Sequence, residues 1–465
     1  MIKSKHIDQM RRIVGKDNVL TSKEALVAYS YDATNLWSHM PDVVVLPASA
    51  EQVSGILKLA NDNEIPVTPR GGGTNVSGGS IPIKGGIVLC TTRMSRIIEI
   101  NRANLHATVE PGVILQDFNV ALAGEGLFFP PDPQSSFGCT MGGVVAENSG
   151  GPSCLKYGVT KQYVLGLEVV LADGSIMRVG GLTPKNRTGY ELMMLFTGSE
   201  GTLGIITKII LRLLPAPKAS KTMVAVFNDV AVAGEAVSSI IAHGVLPAKI
   251  ELIDNWTIKR FEELLSSSLP ADTQFLLLIQ VDGLPATVEA EAEQIVDICR
   301  RGGAGEVWVA QDQAEAEKVW QARRDHFSDM NSASYTLLNE DVTLPRDKIA
   351  EFVRKCQDSA RRYDVSINLA GHAGDGNFHP GVLTDSRDQE HFNRALKCVD
   401  EIIESALSLG GVISGEHGIG LEKQRFLKKA MDPVAINVMK KIKGVLDPKH
   451  IINPGKIWEE APDGE

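Results

Sequence analysis

The sequence predicts an α+β protein of two domains, and three observations support this fold class. At 465 residues the chain exceeds what one ordinary hydrophobic core accommodates. Its first half contains strand and helix patterns that run into glycine-rich loops, whereas from Ser220 onward strands and helices alternate without glycine clusters. The segment 214–217, Leu-Pro-Ala-Pro, lies where the two compositions meet, so we expect a domain boundary there.

The first glycine-rich loop, Pro69–Ser80, follows a predicted strand at 66–68. Five of its twelve residues are glycine. Without Cβ atoms the chain can adopt positive φ, and successive N–H groups can then point into one concavity. Such a concavity suits a pyrophosphate, although a long glycine-rich turn without a ligand would show the same composition.

Two further glycine-rich stretches follow at 140–151 and 197–204, the first after a proline-rich connector at 131–135. Thr140 could cap a helix whose first amides face a second phosphate, but a tight helix–strand crossing would also require glycine there. The G-x-G-x-x-G fingerprint with its downstream acid and the Walker A lysine are both absent. The sequence therefore supports neither a Rossmann NAD site nor a P-loop.

In this order the three loops resemble the flavin domain of the p-cresol methylhydroxylase/vanillyl-alcohol oxidase superfamily. The resemblance implies a two-subdomain domain that wraps FAD. Relatives with covalent flavin place a histidine in the first loop where this chain has Thr74, so we expect FAD without a covalent bond. Tail residue Asn453, in an Asn-Pro-Gly-Lys turn, is implied to reach the flavin ring, although Asn-Pro-Gly is also a plain turn signal. The residues assigned to FAD in this way are Pro69, Arg70, Gly71, Gly72, Gly73, Thr74, Asn75, Ser77, Gly78, Pro131, Asp132, Ser135, Thr140, Gly142, Gly143, Ala146, Asn148, Gly150, Gly151, Tyr157, Gly158, Glu200, Gly201, Gly204, Ile205 and Asn453.

The second half contains predicted strands that flank two helices. This pattern, together with the same superfamily, predicts a ferredoxin-like α+β cap domain. We therefore expect an FAD-binding domain at 1–215, a cap and substrate domain at 216–410, and a C-terminal segment at 411–465 that returns to the FAD domain.

A predicted helix after Gln311 carries Arg323, three residues beyond Trp320. An arginine can clamp a substrate carboxylate with its two-pronged donor group. A helical arginine is more often a solvated surface residue. The resemblance favours Arg323 for the carboxylate role.

Histidines in two glycine-rich turns form the second candidate site. Gly-Asp-Gly at 374–376 follows a predicted strand and can fold the chain into a hairpin, which would bring His372 and His379 to one end. With Glu416, they would form an open metal site, whereas a buried, hydrogen-bonded histidine pair is the ordinary alternative.

This cluster resembles the FAD-dependent D-2-hydroxy-acid dehydrogenases, which include D-lactate dehydrogenase, the glycolate oxidase flavoprotein subunit and D-2-hydroxyglutarate dehydrogenase. The resemblance implies that His372, His379 and Glu416 bind zinc, iron or manganese. It further implies His417 as the base and Asn377 beside the substrate. Asn339 stands where some relatives carry a substrate-contacting lysine, which favours a small monocarboxylate.

The reaction implied is oxidation of a D-2-hydroxy acid, with D-lactate to pyruvate the favoured case. A divalent ion would lower the pKa of the substrate hydroxyl, His417 would accept its proton, and hydride would pass to flavin N5. We expect a separate electron acceptor: electron-transfer flavoprotein first, then a quinone or an iron–sulfur subunit. The alternatives are an oxygen-reducing glycolate oxidase of the same fold and a non-catalytic flavin-binding relay subunit.

Composition limits the partners and the location. A net charge of −10 argues against a nucleic-acid partner. No apolar run approaches the roughly 18 residues that span a bilayer, and the N-terminus lacks a signal-peptide pattern. The six cysteines are scattered without a C-x-x-C pair, so we expect a reduced, cytoplasmic protein without its own iron–sulfur cluster.

Overall fold

A computed structural model describes residues 2–34, 36–256, 258–265 and 269–459. Within these residues the helices are α1 (Ser4–Val14), α2 (Lys23–Val27), α3 (Ala50–Asp62), α4 (Leu115–Gly124), α5 (Met141–Glu147), α6 (Cys154–Tyr157), α7 (Leu192–Phe196), α8 (Val230–Ala242), α9 (Ile258–Leu265), α10 (Pro285–Arg301), α11 (Gln313–Ala333), α12 (Ile349–Tyr363), α13 (Gln389–Ser408), α14 (Gln424–Ala430) and α15 (Pro433–Leu446). The strands are β1 (Val19–Leu20), β2 (Val43–Val45), β3 (Val67–Arg70), β4 (Ile87–Cys90), β5 (Ile97–Asn101), β6 (His106–Val109), β7 (Leu127–Phe128), β8 (Val164–Val170), β9 (Ile176–Gly180), β10 (Ile205–Arg212), β11 (Leu214–Pro215), β12 (Ala219–Phe227), β13 (Lys249–Asp254), β14 (Phe275–Gly283), β15 (Glu306–Val309), β16 (Thr336–Asn339), β17 (Val342–Thr343), β18 (Ser366–His372) and β19 (Asn377–Thr384).

The chain separates into two compact units. The first unit comprises Met1–Gly150, Val159–Ala216 and Glu416–Glu465, and the second comprises Gly151–Gly158 and Pro217–Gly415. The last six residues of the chain, 460–465, lie outside the described part.

One sheet of the first unit is mainly parallel and has the order β1-β2-β4-β3. Strands β2, β4 and β3 run parallel, and β1 pairs antiparallel with β2. All three residues of β2 are buried, as expected of a parallel strand covered on both faces. Helix α3 turns Val53, Ile56 and Leu57 toward this core. Strand β3 then leads directly into the first glycine loop.

The other large sheet of the first unit is antiparallel and has the order β5-β6-β10-β8-β9. Its β8–β9 hairpin turns through Asp173 and Gly174, where Gly174 has φ +81°. The end of the chain returns to the first sheet. Val67 donates its N–H to the Ile451 carbonyl at 2.7 Å and accepts from Asn453 N at 2.7 Å.

The second unit is built on an antiparallel sheet of order β15-β12-β14-β13-β18-β19-β16, with β17 also paired to β19. The first four strands in this order have the predicted ferredoxin-like arrangement. Strand β14 lies between β12 and β13 and pairs antiparallel with both. The sheet continues beyond the β13 edge, because β13 also pairs with β18. This extension places the predicted histidine hairpin beside the ferredoxin-like strands.

Two further properties concern the whole described chain. Among the described residues, no helix combines the length and apolar character that crossing a bilayer requires. The six cysteines are free thiols, in agreement with their scattered spacing.

Candidate active site

Close backbone approach explains the glycines of the first loop. A Cβ on Gly72 would lie 2.1 Å from the Gly138 carbonyl oxygen, and one on Gly71 would lie 2.2 Å from Thr140 Oγ1. These distances are far below contact, so the first and second glycine-rich regions meet only because side chains are absent. The predicted proximity of these loops is therefore present within the first unit.

Polar side chains brace the first loop within the protein. Arg70 donates from Nη1 to the Tyr31 carbonyl at 2.7 Å, and Asn75 donates from Nδ2 to Asp32 Oδ2 at 2.6 Å. Ser80 Oγ in turn donates to Asn75 Oδ1 at 2.9 Å. Because these groups bond to protein atoms, Arg70 and Asn75 hold the loop in shape.

Two buried hydroxyl groups in the glycine-rich loops could form hydrogen bonds with a ligand. Ser77 Oγ and Thr140 Oγ1 have no hydrogen-bond partner among the described residues. Thr140 is the residue before helix α5, but its hydroxyl does not cap the helix, contrary to the prediction. Buried hydroxyls without partners are costly, and a pyrophosphate would supply acceptor oxygens. The glycine-lined region and these two donors fit the phosphates of FAD.

The third loop is tied to the end of the chain by Glu200, which has φ +51°. Its carboxylate accepts the N–H of Ile419 at 2.9 Å and that of Gly420 at 2.6 Å. Asn453 Nδ2 donates to the Glu200 carbonyl at 2.9 Å and to the Gly79 carbonyl at 3.0 Å. Asn453 thus links the first and third loops, and its role at the flavin ring stays a prediction.

Glu147 and Glu200 form a buried pair of acids in the first unit. Burial, and then the charge of Glu200, raise the pKa of Glu147 well above its ordinary value. Burial also raises the pKa of Glu200, although the Ile419 and Gly420 amides oppose this. Glu147 is therefore the member that holds a proton.

The other residues predicted to bind FAD occupy several surroundings. Asn148 ends α5 in a left-handed conformation, with φ +54°, and its Oδ1 accepts the Lys161 N–H at 2.8 Å. Tyr157 belongs to the second unit, where its hydroxyl donates to Asp282 at 2.9 Å. The remaining positions lie in or beside the three loops: Pro69, Gly73, Thr74, Gly78, Pro131, Asp132, Ser135, Gly142, Gly143, Ala146, Gly150, Gly151, Gly158, Gly201, Gly204 and Ile205.

The predicted histidine hairpin is present in the second unit. His372 pairs with Asn377 and Ala370 pairs with His379 across β18 and β19, so both imidazoles project from one face of the sheet. The turn requires Gly376, with φ +83°, where a Cβ would lie 2.1 Å from the Leu344 carbonyl oxygen. The Nε2 atoms of His372 and His379 are 3.5 Å apart. Two nitrogens that converge in this way suit a shared divalent ion.

A buried glutamate lies beside this hairpin. Glu251 is directly opposite His372 in the pairing of β13 with β18, so the two side chains share a face. Its Oε1 lies 2.5 Å from His372 Nδ1, and its Oε2 accepts Arg323 Nε at 2.7 Å. Burial alone would raise the pKa of Glu251, but His372 and Arg323 together outweigh it and lower this pKa. The group is therefore an ionised carboxylate.

Arg323 is 3% exposed, so the surface alternative for this helical arginine is wrong. Its helix is fixed by the Trp320 indole, which donates from Nε1 to Thr222 Oγ1 at 3.0 Å. The next residue, Arg324, is exposed and pairs with Glu317. Burial beside Glu251 thus distinguishes Arg323 from its neighbour.

Asp341 organises the other side of the hairpin. Its Oδ1 accepts Asn377 Nδ2 at 2.6 Å and lies 3.8 Å from His379 Nδ1. Its Oδ2 accepts Ser414 Oγ at 2.6 Å and Gly415 N at 2.9 Å. The Asn377 amide also donates to the Val342 carbonyl at 3.0 Å. Asn377 is accordingly held by the protein, and its contact with substrate stays a prediction.

Glu416 and His417 begin the last segment of the first unit. Glu416 Oε1 lies 3.7 Å from His417 Nε2, and both side chains are largely buried. Gly418 follows with φ +81°, and Glu200 holds the next two amides. The backbone beyond the predicted base is thus fixed by an acid from the third loop.

Sequence reasoning missed Glu251, Asp341 and Glu147. A signal for Glu251 was present, because it stands between isoleucine and leucine in the apolar strand pattern of β13. The partners of these acids come from distant parts of the chain, and no local pattern identifies them.

Two protein families match this chain, one in each half of the sequence. The model for the C-terminal domain of FAD linked oxidases matches residues 216–457, and an FAD binding domain model matches residues 41–180. The fold and these matches define an FAD-binding oxidoreductase. The chain belongs to the FAD-linked oxidase family.

Two curated relatives and one solved structure illustrate the likeness. The glycolate oxidase subunit GlcD of Bacillus subtilis (strain 168) is 44% identical over 451 residues, covering 97% of this chain and 96% of that protein. The D-lactate dehydrogenase of Archaeoglobus fulgidus is 37% identical over 416 residues, covering 89% and 91%. The structure of p-cresol methylhydroxylase with substrate bound aligns with a TM-score of 0.79 at 21% identity, covering 97% of this chain and 96% of that chain. The last match confirms the predicted fold.

Proposed function

We propose that this protein oxidises a small 2-hydroxy acid, either D-lactate or glycolate, and passes the electrons to a separate acceptor. The observation that carries the proposal is the buried set in the second unit: two imidazoles with Nε2 atoms 3.5 Å apart beside an arginine held by Glu251. This set occurs in a chain that has an FAD-binding domain. An anionic substrate that must lose a hydroxyl proton matches these groups.

The chain's residues then have distinct tasks. Arg323 binds and orients the substrate carboxylate, for which a guanidinium is suited. His417 accepts the hydroxyl proton, since an imidazole is suited to act as a general base. Asn377, fixed by Asp341, lies beside the substrate. FAD, when bound without a covalent link at Thr74, supplies the two-electron oxidant.

His372, His379 and Glu416 are the residues we assign to a divalent zinc, iron or manganese ion. Glu416 follows Gly415, whose N–H donates to Asp341 at 2.9 Å, and Asp341 in turn lies 3.8 Å from His379. Two imidazoles and one carboxylate leave positions open for a ligand, as in catalytic sites. Such an ion supplies Lewis acidity toward an alcohol oxygen.

The substrate proposal is limited to monocarboxylates, because Asn339 offers no positive charge for a second carboxylate. Relatives named for glycolate and for D-lactate both align over most of the chain, so the proposal retains both compounds. For the acceptor we favour electron-transfer flavoprotein in the cytoplasm. A quinone or an iron–sulfur subunit comes next, and a relative named as a subunit is consistent with a partner subunit.

Anaerobic titration tests the proposal. The purified FAD-loaded, metal-replete protein is mixed with D-lactate, L-lactate, glycolate or D-2-hydroxyglutarate, and the visible absorbance of the flavin is followed. We expect bleaching by D-lactate or glycolate and none by L-lactate. Persistent absorbance with all four acids would favour a non-catalytic relay subunit, and rapid turnover in air without added acceptor would identify an oxygen-reducing oxidase.

A further inference from the structure

Glu251 connects the two groups to which the proposed function gives substrate chemistry. Its side chain is fully buried, with one oxygen 2.5 Å from His372 Nδ1 and the other 2.7 Å from Arg323 Nε. The His372 contact follows from regular structure, since Glu251 is paired with His372 across adjacent strands, and Arg323 reaches the other oxygen from helix α11. The carboxylate therefore lies at a fixed position relative to both partners.

The contact with His372 determines which imidazole nitrogen carries the proton. One Glu251 oxygen accepts from Arg323 Nε at 2.7 Å, as a carboxylate paired with a guanidinium does, and the other oxygen then offers His372 an acceptor, so Nδ1 of His372 is the donor. In a neutral imidazole with its proton on Nδ1, the lone pair is on Nε2. Nε2 is the atom that faces His379 Nε2 at 3.5 Å.

We propose that Glu251 is a positioning residue that fixes the tautomer of His372, so that Nε2 is presented to a divalent metal ion, and that holds Arg323 with its other oxygen. The inference rests on the proposed metal site. Carboxylates that accept from the outer nitrogen of a metal-binding histidine orient the ring and raise its basicity.

Glu251→Gln tests this role with little change in volume. Arg323 Nε can only donate, so the new amide must turn its oxygen to Arg323 and its NH2 group to His372. Nδ1 of His372 then accepts and the proton moves to Nε2, so a metal ion must displace this proton, at a cost in affinity, before Nε2 can bind it. We expect zinc affinity about 10- to 100-fold weaker than in the wild type.

The measurement is zinc competition against a chromophoric chelator, with the FAD-loaded full-length protein. Glu168→Gln is the control, because Glu168 is likewise a buried strand glutamate that accepts an arginine Nε, here from the exposed Arg178 at 2.8 Å, and it belongs to the first unit. The control should keep wild-type zinc affinity. At saturating zinc, the Glu251→Gln variant should also keep a KM near the wild-type value, because the Arg323 contact is retained.

The outcomes separate this inference from the function on which it rests. Wild-type zinc affinity in folded Glu251→Gln protein would overturn the role of Glu251 while leaving the metal site intact. Wild-type protein that binds no zinc, iron or manganese would overturn both. Should the variant fail to fold, nitrogen NMR of histidine-labelled, metal-free wild type reports the tautomer directly: Nδ1–H on His372 supports the inference and Nε2–H contradicts it.

Discussion

The pKa values of three buried glutamates shift in opposite directions in the two units. In the first unit, Glu147 and Glu200 share one region, and burial raises the pKa of each. In the second unit, Glu251 is fully buried, yet His372 and Arg323 lower its pKa. The difference lies in the partners, because backbone amides surround Glu200 whereas two cationic or polar side chains hold Glu251.

This difference matches the chemistry proposed for each unit. A region that receives an anionic pyrophosphate benefits from an acid that holds its proton, as assigned to Glu147, since additional negative charge would repel the phosphates. A region that orients an arginine and a metal-binding histidine requires a carboxylate that stays ionised. Burial thus sets the charge in the first unit, and paired side chains set it in the second.

His417→Ala, which removes the proposed base, has the largest expected effect. The base should be lost while the FAD loops remain, so the rate of flavin reduction by substrate should fall about 10²- to 10⁴-fold with FAD still bound. Anaerobic stopped-flow absorbance measures the rate. His243→Ala, which removes an exposed histidine, serves as the control and should reduce at the wild-type rate.

Asp254 extends the comparison, because it is a buried acid of the second unit whose carboxyl group accepts from neutral donors, the Asn368 amide and the backbone N–H groups of Leu369 and Trp256. Burial raises its pKa from 3.8 to about 7, although the Leu369 amide and Asn368 Nδ2 oppose this. A group with a raised folded-state pKa contributes stability below its unfolded pKa, and this contribution is lost as pH rises toward 7. At about 1.4 kcal/mol per pKa unit, the loss is at most about 4 kcal/mol.

Thermal unfolding of wild type and Asp254→Asn across this pH range measures the contribution. The stability advantage of the wild type over the variant should shrink as pH rises from about 4 to about 7. Parallel curves for the two proteins would show that Asp254 is ionised in the folded state.

Arg323→Lys sharpens the assignment of the substrate carboxylate. Lysine offers a single ammonium in place of the guanidinium fork, so kcat/KM should fall about 10- to 100-fold, mainly through KM. Arg324→Lys is the matched neighbour, because Arg324 is exposed and pairs with Glu317. Steady-state kinetics measures kcat/KM of both variants. An equal decrease of kcat/KM in the two would show that Arg323 does not bind the substrate carboxylate.

The smallest expected effects concern the acid pair of the first unit. Glu200→Gln replaces an acceptor of the Ile419 and Gly420 amides and should destabilise the protein by about 1–3 kcal/mol. Glu147→Gln should change stability by less than about 0.5 kcal/mol, because Glu147 already carries a proton. Thermal unfolding of the FAD-loaded variants measures both, and a larger loss for Glu147→Gln would reverse the assignment of the proton.

Local patterns explain which parts of this architecture the sequence could predict. Gly376 and its neighbours marked the β18–β19 hairpin, and period-2 geometry then placed His372 and His379 on one face. The glycine-rich loops could also be predicted, because backbone segments that approach each other closely require glycine and so raise the local glycine content. Turn chemistry and strand periodicity are properties of neighbouring residues, so they can be read from one chain.

Contacts between distant strands could not be predicted in this way. Glu251 meets His372 across 121 residues, and only the pairing of β13 with β18 brings them together. The sequence predicted four strands of the second sheet, but it gave no sign of which edge the histidine hairpin would join. Asp341 is a similar case, because its partners Asn377 and Gly415 follow it by 36 and 74 residues. Strand register of this kind is a property of the whole sheet.

Metal removal tests the central claim most directly, namely that the first unit holds FAD while the histidine site of the second unit acts on the substrate. The FAD-loaded protein is treated with a chelator, and metal content, bound flavin and anaerobic reduction by D-lactate and glycolate are measured in the same sample. We predict that FAD stays bound, that reduction is lost with the metal, and that adding one divalent ion per chain restores it. Flavin reduction at an unchanged rate in the metal-free sample would contradict this account.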